Sequence, residues 1–539
     1  MNMFASFGKK LRHFCSVSTQ KISCLSKSIV FLQTCFFRLL LRRANPLWVQ
    51  IVYFVSLSTL GFGVLKALKP RTGPSFIPKN IDLFFTSVSA TTVSSMATLE
   101  MEVFSDTQLI IMTILMFIGG EIFTSMVGLH FSRFRFKTAL DQIASSHASL
   151  SSPNLVDQIE LGMVTNDNSN KSSTVHNQSL GATSENLRYL SMKYLGFVVL
   201  AYLVLVHMTG VVAVTLYLVA IQSAKEVLNN KGLNMFTFSV FTAVSTFSGC
   251  GFVPTNENMV VFRKNSGLLL MLIPQVLLGN TLFPPCLRFS IWVLGKFHKK
   301  KECKYLLKNT QEVGYKHLLP GRYSVFLVLT VFGFILLQVI LFCAMDWSAE
   351  PLKGLNAYQK FIGVLFQSVN SRHTGETVVD LSIISQAILL LFVVMMYLPP
   401  YTSFLPMKDE GQDSESYERM KKRRGKIVEN LMFSQLSYLV IFIILVCITE
   451  REKLKEDPLN FSVLNIVVEV TSAYGNVGFT TGYSCERQLH TQANCQDKWI
   501  GFVGKWSNEG KIILIFVMFF GRLKKFNINM DGGKAWNLL

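Results

Sequence analysis

The chain has 539 residues, half of them hydrophobic and only 16% charged, with 44 phenylalanines and a formal net charge of +19. Soluble proteins carry closer to a quarter charged residues, so the composition points to an integral membrane protein. The Lys and Arg residues are gathered in particular loops, which reads as membrane topology and not as a nucleic-acid partner.

The N-terminal segment 1–45 is basic and has no acidic residue. Within it "SIVFLQTCFFRLLL", Ser28 to Leu41, is too short to span a bilayer, is interrupted by Arg38 and is not followed by a small-residue cleavage site. It reads as an interfacial or membrane-entry segment, with a cleaved signal as the alternative. Eight apolar runs follow, near 46–68, 106–131, 194–220, 266–292, 323–345, 381–400, 431–449 and 510–526, each taken as one transmembrane helix. None alternates as a membrane β-strand would.

The basic residues lie in the N-terminus, in "GKFHKKKECKYLLKN" around 296–322, in "RMKKRRGK" within 407–430, and at Arg522, Lys524, Lys525 and Lys534. The positive-inside rule puts all of these in the cytoplasm, with both termini inside. The Ser- and Asn-rich loop near 132–190 falls on the same side and reads as flexible. The expected organisation is a first unit at 46–131, a loop at 132–193, a second unit at 194–292, a basic loop at 293–322, a third unit at 323–400, a basic loop at 401–430, a fourth unit at 431–526 and a cytoplasmic tail at 527–539.

The opposite side carries four stretches rich in small and hydroxylated residues: "IDLFFTSVSATTVSSM", "FTFSVFTAVSTFSGCGF", "FIGVLFQSVNSRHTGE" and "FSVLNIVVEVTSAYGNVGF". Ser89, Ser245, Asn370 and Ser472 each precede a final small residue, which is Ser95, Gly251, Gly375 and Gly478 in turn. The step is six residues in three copies and five in the third. This is an internal fourfold repeat of span, re-entrant segment and span. Non-helical backbone at membrane depth is tolerated only where it is buried in protein or lines a watery cavity. Four hairpins on one side fit around an axis, each entering as a short helix and returning extended. Their carbonyl oxygens can then replace the hydration shell of a monovalent cation. The fold class expected is all-α, with eight transmembrane helices in four membrane–pore–membrane repeats.

Glu121 lies mid-span and Glu469 in the fourth short helix, where a carboxylate either serves the ion path or has a structural partner. Glu100, Glu102, Glu257, Glu376 and Asp380 follow the first three hairpins and read either as an acidic rim that concentrates cations or as a merely solvated edge. His207 and His373 have no second ligand spaced nearby and read as structural residues. The chain has no Walker loop, no HExxH and no GxSxG, so neither an enzyme nor an ATP-driven pump is expected, and no cofactor is called for. Cys485 and Cys495 are ten residues apart in the segment after the fourth hairpin, on the oxidising side; they read as a disulfide, or else as two free thiols.

The motifs "SVSATTVSSM", "STFSGCGFVPTNENM", "NSRHTGE", "TSAYGNVGFTTGYSC" and "LLGNTLFPP" resemble those of the plant high-affinity potassium transporter family, HKT, which belongs with the bacterial Trk and Ktr transporters. The resemblance runs from about residue 46 to 526. It implies a pseudo-fourfold ring with an ion-selectivity filter at Ser95, Gly251, Gly375 and Gly478. Serine at the first position resembles the sodium-selective subfamily. Dimers among the bacterial relatives imply that a homodimer is plausible. Arg522 matches the family's basic residue that faces the ion path; its alternative is snorkelling to the cytoplasmic interface beside Lys524. The function expected is channel-like sodium transport across the plasma membrane, driven by the electrochemical gradient. The alternatives are a sodium–potassium cotransporter or a potassium-permeable variant of the same fold. An alternating-access carrier would need repeats of opposite orientation, whereas these four share one.

Overall fold

The computed structural model describes residues 46–72, 77–150, 171–402, 435–488 and 501–527. The basic N-terminal segment, the "RMKKRRGK" loop, Cys495 and the tail from 528 lie outside the described residues. By contact the chain divides into Met1–Tyr53 and Phe54–Leu539; of the first, residues 46–53 are described, and they begin a helix.

The described residues are helical in four successive sets. The first has α1 (Pro46–Ala67), α2 (Asn80–Thr92), α3 (Asp106–Gly119) and α4 (Glu121–Leu150). The second has α5 (Lys171–Ala220), α6 (Met235–Ser248), α7 (Ser266–Gly279) and α8 (Phe283–His298). The third has α9 (Gly321–Asp346), α10 (Ala357–Asn370) and α11 (Gln386–Tyr397), and the fourth α12 (Gln435–Thr449), α13 (Val463–Gly475) and α14 (Asn508–Asn527). Trp48–Ala67, Glu185–Ala220 and Gly321–Asp346 are each long and apolar enough to cross a membrane, and the pairs α3–α4 and α7–α8 pass that test together.

Those two pairs depart from the sequence reading, which took each as one straight span. They bend by 51° and 81°. The breaks fall at Gly119–Gly120 and at Gly279–Asn280, the second followed by Pro284 and Pro285 at the start of α8. Hydropathy averages over such a break, but the backbone does not. The glycines are there for close approach. A β-carbon on Gly119, Gly279 or Gly521 would fall on the carbonyl oxygen of Thr91, Phe247 or Tyr474 respectively. Each of those carbonyls lies two residues beyond Ser89, Ser245 or Ser472. Helix also reaches into both ends of the segment expected as a loop: α4 runs on to Leu150, and α5 starts at Lys171. No Gly or Pro lies between Gly128 and Pro153 to stop α4.

The short helices α2, α6, α10 and α13 have 13 or 14 residues, about 20 Å at 1.5 Å per residue and too short to cross a bilayer. Their many hydroxyls do not disrupt them, because the side chains bond back one turn. Thr86, Thr91 and Thr92 donate to the carbonyls of Asp82, Ser87 and Val88 at 2.7–2.9 Å. The N-termini are capped by Asn234, by an Asn356–Gln359 capping box and by Ser462.

The apolar cores run from each set into the next. Phe241, Cys250 and Phe252 of the second set complete the core around Leu83, Ala90 and Met112. Ile362, Phe366 and Val378 of the third complete that around Val214, Phe262 and Leu272. Val468, Val477 and Phe479 of the fourth complete the third set's, and Phe85, Val88 and Met96 of the first complete the fourth's.

Candidate functional site

The C-terminal ends of the four short helices lead into the positions singled out in the sequence. Ser95, Gly251, Gly375 and Gly478 have φ of 53°, 84°, 70° and 105°. All four are left-handed, a conformation natural to glycine and costing other residues about 1–2 kcal/mol. Ser95 adopts it nonetheless.

The four positions touch one another in sequence. A β-carbon on Gly251 would fall on the carbonyl oxygen of Thr374, and one on Gly375 on that of Val477. One on Gly478 would fall on the β-carbon of Ser95. The circuit closes at Cys250, whose thiol lies against the backbone of Ser95. Four buried helices thus present their C-terminal ends, each with a partial negative charge, to one cluster of backbone turns. Such a cluster suits a cation.

The local turn explains the irregular spacing. The backbone N–H of Ser94, Cys250 and Val477 each donates to a carbonyl five residues back, at Ser89, Ser245 and Ser472, all at 2.9 Å. In these copies a left-handed residue (Val93, Gly249 or Asn476) ends the helix and a second follows two residues later. In the third copy Ser371 ends the helix in right-handed conformation, and Gly375 itself donates to Asn370. With one left-handed residue instead of two, the chain arrives one residue early.

Side chains brace the extended segments that follow the turns. Gln367 Oε1 accepts from Val378 N at 3.1 Å, and Glu469 Oε1 from Thr481 N at 3.1 Å and Thr480 Oγ1 at 2.5 Å. Both braces lie three residues before their anchor and grip the residue three beyond the glycine. Glu469 is therefore a partner of the turn's own backbone, the structural member of the two readings. Gly478 N is held by Ser472 Oγ at 2.9 Å. Asn258 reaches Gly251 O at 3.4 Å and accepts from Thr377 N at 3.2 Å, crossing from the second set to the third.

The acidic residues do not form the uniform rim that their positions in sequence suggested. Glu376 is fully buried and accepts from Thr246 of the second set. Glu102 and Glu257 share Lys231, at 2.5 and 2.6 Å, while Glu100 accepts from Asn256 Nδ2 at 3.2 Å. Burial pulls the Lys231 ammonium down, but its bonds to Glu102 and then Glu257 outweigh that, and its pKa is raised. Asp380 accepts from Ser382, which in turn accepts from Arg487 of the fourth set. His207 packs tilted against Phe247 and edge-on to Phe117 and bonds to Leu203 O, a core histidine.

Arg522 follows Gly521 in α14. It is 2% exposed, donates to Gly119 O at the α3–α4 break and lies over the Phe54 ring. Its head is buried, so the snorkelling alternative does not describe it. Cys485 is disulfide-bonded; its expected partner Cys495 lies outside the described residues. Two polar contacts had no signal in the sequence. Lys511 of α14 forms a buried ion pair with Asp82 of α2 at 2.8 Å, and Asn476 reaches Ser94.

The chain is similar to known proteins over most of its length. The TrkH family, described as "Cation transport protein", matches residues 161–532. The chain is 48% identical over 530 residues to "Cation transporter HKT1;3" of Oryza sativa subsp. japonica, covering 98% of both proteins. It is 50% identical over 486 residues to "Sodium transporter HKT1" of Arabidopsis thaliana, covering 88% of this chain and 91% of that one. Among solved structures, the potassium transporter TrkH from Vibrio parahaemolyticus aligns over 91% of this chain and 85% of its own, at 14% identity and a TM-score of 0.43.

Proposed function

The chain belongs to the TrkH/HKT family of cation transporters, multi-pass membrane proteins and not enzymes, and on that premise we propose that it is a channel-like sodium transporter of the plasma membrane. In this reading the four sets are membrane–pore–membrane units in a pseudo-fourfold ring, with both termini cytoplasmic. Sodium moves down its electrochemical gradient through the turns at Ser95, Gly251, Gly375 and Gly478.

The observation that carries the reading is the conformation of Ser95. It keeps the left-handed backbone of the three glycines while adding a β-carbon and a hydroxyl to one quadrant. Potassium, larger and more easily dehydrated, needs even coordination by carbonyls from all sides. One quadrant narrowed by a side chain denies it that. Sodium, smaller and more tightly hydrated, passes with part of its water retained and the hydroxyl assisting. A tenfold preference requires only about 1.4 kcal/mol, within reach of one impaired coordination site. The pore-helix C-termini favour any cation, and the turns decide which. Arg522, one residue past the close approach of Gly521 to Tyr474, sets a fixed positive charge beneath the turns that limits cation occupancy.

Currents recorded from cells expressing the protein, with sodium on one side and potassium on the other, test the reading. The reversal potential follows the sodium gradient if it is correct; one that follows potassium would refute it.

A further inference from the structure

A serine in left-handed conformation persists only where its surroundings over-determine it. The bond from Ser94 N to Ser89 O has counterparts at Cys250 and Val477 and so cannot be what singles out this quadrant. What does single it out is a side-chain relay from the fourth set. Ser94 is fully buried; its hydroxyl lies 2.7 Å from Thr92 Oγ1 and accepts from Asn476 Nδ2 at 2.8 Å. Asn476 is 1% exposed, stands two residues before Gly478 and is itself left-handed, with φ of 51°. The same nitrogen donates to Met518 O of α14 at 3.1 Å, which fixes which end of the amide is the NH2 group. One amide therefore ties α14, the fourth turn and the first turn together.

We propose that Asn476 is a positioning residue for selectivity: through Ser94 it holds the Ser95 turn in its left-handed form. At the position of Ser94 the other three turns carry Cys250, Thr374 and Val477. Without the relay the Ser94–Ser95 peptide relaxes toward an ordinary negative φ. That swings the carbonyl it carries and moves the Ser95 side chain away from Gly478. The sodium preference then falls although Ser95 is still present. This inference rests on the reading of Ser95 as the selective quadrant.

The test is the reversal potential under mixed sodium and potassium, at matched surface density, for Asn476→Ala, Ser94→Ala, their double variant, Ser94→Thr and Ser95→Gly. Each alanine variant is expected to lower the sodium-to-potassium permeability ratio by roughly three- to tenfold, the span of one neutral hydrogen bond. The double variant should go no further than either single one, and Ser94→Thr, which keeps the hydroxyl, should keep the ratio. A merely structural role would lower current without moving the potential. Unmoved potentials in both alanine variants, alongside a shift in Ser95→Gly, would overturn this inference and leave the reading of Ser95 standing, as would effects that add in the double variant. An unmoved Ser95→Gly would overturn both. If Asn476→Ala fails to reach the membrane, Ser94→Ala against Ser94→Thr decides: a shift in alanine alone supports the relay, and equal potentials overturn it.

Discussion

Ser95 fills the space that a β-carbon on Gly478 would need: such a carbon would fall on the β-carbon of Ser95 and lie 2.8 Å from its hydroxyl oxygen. Two neighbouring turns thus share room for one side chain, and in this protein the first turn has it. Gly478→Ala is expected to cut current at least about tenfold, because it adds this collision to an unfavourable φ of 105°. Adding Ser95→Gly removes the worst clashes and leaves the Ser94 carbonyl at 3.1 Å. The double variant should recover part of the current, measured per protein at the surface. A double variant no better than Gly478→Ala would show that the two turns do not compete for space.

The Asp82–Lys511 pair joins the first short helix to the last long one, with the two side chains 9% and 5% exposed. Lys511→Met strands a buried carboxylate and should destabilise the protein by about 3–5 kcal/mol. Asp82→Asn combined with Lys511→Met should regain most of that. Thermal unfolding of the purified protein in detergent reads both. Equal losses in the single and double variants would mean that the pair's charges are not what matters.

Lys231 is a weaker clasp. Its side chain is 18% exposed and those of Glu102 and Glu257 are 25% and 29%, so water and salt screen the interaction. Lys231→Met should cost about 1 kcal/mol or less and leave selectivity unchanged. Its effect on melting temperature should shrink at high salt, which screens these partly exposed charges, and the raised pKa means that the clasp is lost only as pH rises above the usual lysine range. A shifted reversal potential would instead place Lys231 in the ion path.

Arg522 bonds to the carbonyl of Gly119, at which α3 breaks from α4. In the proposed pathway Arg522→Gln keeps a donor for Gly119 O and removes the charge. Conductance per surface protein should rise about twofold or more, with altered rectification. Unchanged currents would assign Arg522 to bracing the α3–α4 break alone.

The turn positions were legible because small and polar residues recur at a step of six, or of five in the third copy, and backbone need dictates those residue types. The third copy's shorter step was legible as a number, but not as the missing left-handed residue at Ser371 that produces it. The breaks at Gly119 and Gly279 were hidden because both sides of each are apolar. Glu376 was read as a candidate for the rim because it follows a hairpin, whereas the chain turns it inward onto Thr246. Asn476 and Ser94 lie 382 residues apart, and one sequence carries no sign that they meet.

Ser95→Gly tests the account most directly. With sodium and potassium present on opposite sides, the glycine variant should admit potassium and move its reversal potential toward the potassium gradient, by about 1.4 kcal/mol or more of lost discrimination, a tenfold change in permeability ratio. A glycine variant that reaches the surface, carries current and still excludes potassium would contradict it, and would place selectivity elsewhere than in the one turn that is not glycine.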